Sequence, residues 1–361
     1  MLAAGMTPRE RFRAILDYRQ PDAPLLTAWM GFSDGVLARW QREGMPRDAD
    51  PHKFFGLTRV QGLPVSVFAY PGRPEIVLEE GATYRIVRDN RDLVVRYDDN
   101  APYFPKYLES PVKSREDWDR YKARINRGCE ERYERLRASA GELRENELPV
   151  VLGLRGCWEI RYFLGMTEAL CMLHDDPGFV VDMLDFWFGH QWEIIDRACD
   201  LVVPDAVCIW EDLAFKNGPF VSPEMYRRFF APYHRETARR LAARGVRHFL
   251  VDCDGNIDII LPLFLENGIT GTYPLECQAD ADPVKLRRAY GKRVQLIGGI
   301  DKRVLARGRE ATRAEVEYKL SQLIPESGYL PSIDHAVPPE APLDSFRWYV
   351  DCVRETWARL R

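Results

Sequence analysis

The sequence has no apolar run long enough to cross a bilayer, and its opening stretch, MLAAGMTPRERF, lacks the apolar core of a signal peptide. No block of like charge occurs, and acids and bases alternate to a net charge of −4, which excludes the basic stripe of a nucleic-acid binder. The eight cysteines stand singly, with no CxxC pair, so a disulfide framework is not expected and a reducing cytoplasm is. Histidine is scarce, at six residues. No glycine-rich phosphate loop follows the first strand-like run, which argues against a dinucleotide-binding sheet. What remains is a chain of 361 residues, 46% apolar and 29% charged, long enough for a large core.

Local signals divide the chain. Thr7-Pro8-Arg9-Glu10 reads as a capping box opening a helix, with Phe12, Ile15 and Leu16 at helical spacing, and LLTAWM (25–30) reads as a short buried strand. Between about 65 and 100 the texture is β-rich: EIVLEE, TYRIVRD and LVVRYD, separated by turn residues, predict a meander of hairpins inserted into another architecture. From about 110 a strand, turn, helix rhythm takes over, with strands at VVLGLRG, DAVCIW, HFLVD, GITGTYPLE, VQLIGGI and GYLPSI. Helix starts of the Asp/Ser-Pro type recur at Asp176-Pro177, Ser222-Pro223 and Asp282-Pro283. Strands separated by helices predict a parallel sheet with right-handed crossovers, and the expected fold is a single α/β domain over 1–361, a (β/α)₈ TIM barrel carrying the β-hairpin insertion.

A barrel of this kind gathers functional residues beyond the C-terminal ends of its strands. Five strands run into ionisable residues there: Glu211-Asp212, Asp252-Cys253-Asp254, Glu276-Cys277, Asp301, and Asp334-His335. So many carboxylates in one mouth require a cation, a metal or shared protons. Glu211, Asp252, Asp254, Asp334 and His335 are therefore the expected catalytic groups. Asp212 and Asp301 read equally well as caps of the following helix; for Asp254, in DGN, a turn-forming aspartate is the lesser alternative to a site role. Arg155, at the end of VVLGLRG, is expected to balance the acids or anchor a substrate carboxylate. Asn217 and Asn256 are expected to help position the substrate.

Several stretches resemble the uroporphyrinogen decarboxylase superfamily: MTPRERFRAILDYRQPD, EDLAFKNGPFVSPEMYRRFFAPYHR (211–235), the strand with DGN (254–256), PLE followed by DPVKLRRAYGKRVQLIGGID, and SIDHAVPPEAP (332–342). The resemblance implies a TIM barrel. The superfamily holds decarboxylases and methyltransferases that work with methylated corrinoid proteins. The arginine-rich segment by which the true decarboxylases bind tetrapyrrole carboxylates has no counterpart in LLTAWMGFSDGVLARW. The methyltransferase branch binds zinc through a His-x-Cys pair and a later cysteine. Here the pair reads Asp252 and Asp254, and the next strand supplies Glu276 and Cys277, an oxygen-rich set closer to O-demethylase-like members. The resemblance thus implies methyl transfer between a small molecule and a corrinoid on a separate protein, with zinc held by Asp254, Glu276, Cys277 and His335. No Asp-x-His-x-x-Gly corrinoid loop is present in the chain itself. The alternative is a metal-independent decarboxylase acting on a small carboxylated substrate. A homodimer is a family expectation only.

Overall fold

The computed structural model describes residues 5–70, 73–99, 105–125 and 128–361; residues 71, 72 and 100, within the predicted meander, lie outside them. The strands, in chain order, are β1 (Gln61–Gly62), β2 (Ile76–Glu80), β3 (Tyr84–Arg88), β4 (Val94–Asp98), β5 (Lys106–Glu109), β6 (Val150–Arg155), β7 (Ala206–Trp210), β8 (Ala214–Phe215), β9 (Gly218–Pro219), β10 (Phe249–Asp252), β11 (Gly271–Tyr273), β12 (Gln295–Ile300) and β13 (Tyr329–Ile333). Seven of them form one parallel sheet in the order β1-β6-β7-β10-β11-β12-β13, curled as a half-barrel. Helices fill most of the connections, and a sheet covered in this way has near-continuous apolar strands, as the fully buried β12 and β13 show.

Helix starts follow the local chemistry. Thr7 and Glu10 make both bonds of the capping box at the start of α1 (Pro8–Leu16), and Asp176, Ser222 and Asp282 each accept a backbone N–H of the turn they open. Helix α1 lies against the concave side of the sheet. Its Phe12, Ile15 and Leu16 pack with Leu25, Ala206, Cys208, Leu250, Tyr273, Ile297 and Leu330. The convex side holds the larger core, under the outer helices.

Residues 25–30 differ from expectation. They form no ladder; Leu26 O accepts from Thr58 N at 2.7 Å and Trp29 N donates to Ser332 Oγ at 3.0 Å. The segment thus ties the β1 edge to the β13 edge through isolated bonds. The chain bends at residues 22–23 before the segment, and a turn at residues 29–30 closes it. The β-rich region is a four-stranded antiparallel sheet, β2-β3-β4-β5, extending to Glu109, beyond the predicted 65–100. Val87, Leu93 and Val95 pack it onto Tyr162, next to the C-terminal end of β6.

Candidate active site at the strand ends

Strand alternation decides what faces the concave side. In β6, Leu152 and Leu154 belong to the convex core, so Val151, Gly153 and Arg155 face inward. Arg155 pairs in register with Trp210, and Trp210 with Asp252, so these three residues stand at one level at the ends of adjacent strands. Trp210 is 47% exposed, although the rest of β7 is buried. Its indole N–H donates to Asp212 Oδ2 at 2.7 Å, and the Arg155 guanidinium stacks on its ring at 4.0 Å.

Three carboxylates meet here: one oxygen each from Asp212, Asp252 and Asp254 lies within 4.8 Å of the others. Two of them have cationic partners. Arg161 Nη2 reaches Asp212 Oδ2 at 3.1 Å, and His335 Nε2 reaches Asp254 Oδ1 at 3.2 Å. Asp252, 7% exposed, has no hydrogen bond to its carboxyl among the described residues. Burial first, then the charges of Asp212 and Asp254, push its pKa well above the usual carboxylate range, against the pull of Arg155. Asp212 is raised by burial and by Asp254, with Arg161 opposing. Burial lowers the His335 pKa, but the bond and charge of Asp254 outweigh it and the net shift is upward. The stretch VDCDGN therefore divides its labour: Asp252 enters the mouth, Cys253 is buried, Asp254 holds His335, and Gly255 turns the chain at φ 85. A Cβ on Gly255 would lie 2.6 Å from the Phe215 backbone, so only glycine fits this crossing.

Other predicted residues lie elsewhere. Glu211 is 0% exposed and accepts from Cys157 N, Trp158 N and His234 Nε2, each at 2.7 Å; it ties the β6 loop to the helical layer and does not reach the mouth. His234 completes this network, with Tyr226 Oη on its Nδ1 at 2.8 Å. Asp334, 0% exposed, accepts from Cys277 N at 3.0 Å and Lys302 N at 3.2 Å, a brace between two loops. Burial raises its pKa, against Lys302. Asn256 Oδ1 accepts from Asp258 N at 3.1 Å and caps its own turn, while Asn217 is exposed at the tip of the β8–β9 hairpin. Arg155 is 4% exposed and bound through Nε to Glu159 at 2.8 Å.

The ligand set expected for zinc is not assembled. Glu276 Oε2 accepts from Gly255 N at 3.0 Å, near Asp254, but Cys277 Sγ turns to the helical layer, 3.4 Å from Lys319 Nζ and 3.3 Å from Gly299 O. Burial pushes its thiol up to about 12, with Lys319 opposing. The mouth itself offers carboxylate oxygens and one imidazole. In the sequence Asp212 reads as either cap or site, and nothing in the residues next to Arg161 marks it as part of the mouth. The alternation of Ala206, Cys208 and Trp210 along β7 was the available signal for Trp210.

Comparison with known proteins agrees with this architecture. The family model for uroporphyrinogen decarboxylase (URO-D) matches residues 93–356. A methyltransferase from Methanosarcina mazei has a similar fold, with a TM-score of 0.62 at 15% identity, over 98% of this chain and 99% of that one. No curated protein matches the sequence. No helix among the described residues is long and apolar enough to cross a membrane. The match to most of the chain's length places it in the uroporphyrinogen decarboxylase family.

Proposed function

We propose that this chain is an enzyme that moves a methyl group between a small molecule, of the methyl ether kind, and a corrinoid carried by a separate protein, within an eight-stranded barrel whose first stave is residues 25–30 and whose antiparallel sheet is an insertion. One observation carries the reading: Asp252 is a buried carboxylic acid, unpaired and held toward its protonated form, at the mouth of a fold like that of a methyltransferase. Cleaving a methyl–oxygen bond leaves an alkoxide, and a proton donor placed at that oxygen is the group such a reaction needs. The corrinoid supplies the methyl acceptor. Asp252 gives its proton to the departing oxygen and becomes a carboxylate, and a proton from solvent restores it. Asp212 and Asp254 keep that proton on Asp252 before reaction by charge repulsion, and Arg161 and His335 hold those two carboxylates in place. Cys277 turns away from this group toward Lys319 and takes no part in the proton transfer.

The test is to incubate the purified chain with free cob(I)alamin and a panel of methyl ethers, following methylcobalamin by its absorbance, with Asp252→Asn in parallel. Methyl transfer abolished in the variant supports the reading. Transfer that is equal in the two proteins removes Asp252 from the chemistry. A second reading, loss of CO₂ from a small carboxylated substrate, is favoured by Arg155 standing level with Asp252. There the same proton would go to carbon, and CO₂ release without methyl transfer would select it. Zinc content, measured by elemental analysis on protein prepared without chelator, tests the sequence expectation of a metal.

A further inference from the structure

Glu211 poses a charge problem that its hydrogen bonds leave open. The side chain is 0% exposed, and its one ion-pair partner among the described residues is His234, equally buried. The arginines of the same loop are engaged elsewhere, Arg155 with Glu159 and Arg161 with Asp212. A carboxylate removed from water in this way ordinarily stands beside a full cation or coordinates a metal. A third group of metal-binding type lies here: Cys157 is also fully buried, with Sγ 3.7 Å from His234 Nε2. One donor atom each from Cys157, Glu211 and His234 lies within 4.8 Å of the others.

The backbone is shaped to bring these groups together. Cys157 and Glu211 lie just past the ends of β6 and β7, with Gly156 between β6 and the thiol. A Cβ on Gly156 would stand 2.7 Å from Trp210 O and closer still to Glu211 Oε2, so only glycine admits the carboxylate at this place. On the other side, the chain makes a widened π turn at Tyr226–Phe230 before the helix Ala231–Ala243. Residues eight apart in a regular α-helix point about 80° apart around the axis. The π turn takes up one extra residue and cuts that difference to about 20°. Tyr226 and His234 therefore share a face, and Tyr226 Oη meets His234 Nδ1 at 2.8 Å. Such turns are rare and fall mostly at functional sites. This one seats the imidazole with Nε2 toward Glu211 and Cys157.

We propose that Cys157, Glu211 and His234 bind a zinc ion that clasps the β6 loop, the end of β7 and the helix Ala231–Ala243 together, in the helical layer and apart from the mouth. The donor set selects the metal: zinc takes sulfur, imidazole nitrogen and carboxylate oxygen together, whereas magnesium and calcium take oxygen alone. A divalent ion with a thiolate, a carboxylate and a neutral imidazole sums to zero charge, so the buried group needs no further cation. Tetrahedral zinc holds sulfur about 3.5 Å from nitrogen, and nitrogen about 3.3 Å from oxygen. The first spacing is met at 3.7 Å, and the second opens from 2.7 Å when the ion replaces the proton between Nε2 and Oε2. The imidazole proton then lies on Nδ1 and is donated to Tyr226 Oη, the outer partner that a metal-bound histidine requires. Phe230 O, 3.9 Å from Sγ, is a fourth donor at hand. With every ligand buried, the ion enters as the chain folds. The inference is independent of the methyl-transfer reading.

The experiment is to produce the full chain in minimal medium supplied with zinc or with cobalt(II), purify it without an affinity metal, and compare it with Cys157→Ala, His234→Gln and Cys277→Ser. Elemental analysis is expected to find about one zinc per chain in the unsubstituted protein and in Cys277→Ser, and about tenfold less in the other two. The cobalt form should show an intense near-ultraviolet thiolate-to-cobalt band that Cys277→Ser keeps and Cys157→Ala loses. Chelator in the melting buffer should lower the Tm of the unsubstituted protein and leave that of Cys157→Ala unchanged. Metal-free protein from either medium overturns the proposal. Metal kept by a folded Cys157→Ala protein and lost from Cys277→Ser also overturns it, and places the ion in the mouth. If neither Cys157→Ala nor His234→Gln folds, the cobalt spectrum of Cys277→Ser decides, and absence of the thiolate band refutes the site.

Discussion

Asp252→Asn tests the electrostatics of the mouth without reference to any substrate. The substitution preserves the size of the side chain and removes its titration. In the unfolded chain Asp252 ionises near about 3.9, whereas in the fold burial and the charges of Asp212 and Asp254 hold it protonated to well above that range. Below about 3.9 both states carry the proton, so the group has no pH-dependent effect. Between the unfolded and folded values the folded protein retains a proton that the unfolded chain has released, and each pH unit removes about 1.4 kcal/mol of stability. Above the folded value the loss is complete and constant. Asparagine carries no such penalty. The stability of Asp252→Asn relative to the unsubstituted protein is therefore expected to rise with pH by about 1.4 kcal/mol per unit and then to level off at the folded pKa of Asp252. Urea unfolding at a series of pH values between about 4.5 and 8.5, read as the shift in midpoint multiplied by the slope, measures it. Methyl transfer is expected to fall by about 10²–10⁴-fold in the same variant, so that it is more stable and inactive at once. A variant less stable than the unsubstituted protein at every pH, or a difference flat with pH, would mean that Asp252 is ionised in the fold and paired with Arg155. The proton-donor assignment would then be wrong.

Other parts of the structure respond differently. Asp205, with its side chain 0% exposed, accepts from Arg9 Nε at 2.9 Å and from Val150 N at 2.7 Å, so Asp205→Ala strands a buried guanidinium and is expected to cost about 3–5 kcal/mol in urea unfolding. Glu211→Ala orphans the N–H groups of Cys157 and Trp158; about 1–3 kcal/mol of stability per orphaned donor should be lost, measurable by the same method, with methyl transfer per folded molecule less affected than in Asp252→Asn. The His335 pKa is raised, so its stabilising contribution is present below about 6.5 and fades as pH rises through the folded value. In Asp254→Asn burial acts unopposed by that partner, and the imidazole pKa, followed by NMR titration, should fall; an unchanged value would mean that Asp254 does not set it.

The mouth illustrates why five strand ends that look alike in sequence have different roles. Asp252 and Glu211 both end apolar strands. Asp252 continues the inward alternation of β10 at the level of Trp210 and Arg155, whereas Glu211 lies one position past Trp210 and so turns outward, where backbone N–H groups of the β6 loop receive it. Cys277 and Asp334 lie beyond the last laddered residue of their strands, where alternation no longer applies and the path of the loop sets direction. One faces Lys319, and the other braces two loops. Asp212, readable as a cap, instead meets Asp252 and Asp254 from a neighbouring strand.

Features that short-range chemistry controls can be read from the residues alone. The capping box at Thr7–Glu10, the Asp-Pro and Ser-Pro helix starts and most of the parallel strands are written in residues a few positions apart, whose hydrogen bonds close within one turn or one strand. The residues also mark the strand ends as the place where ionisable groups collect. Long-range packing sets the rest: residues 25–30 join the sheet edges without pairing, Cys277 turns to Lys319 rather than to the mouth, Asp212 meets Asp252 and Asp254, and Gly153 faces empty space. These outcomes depend on contacts across strands far apart in the chain. A carboxylate's protonation and a glycine's purpose are set by what the fold brings within a few ångströms, and neighbouring residues in the sequence do not record that.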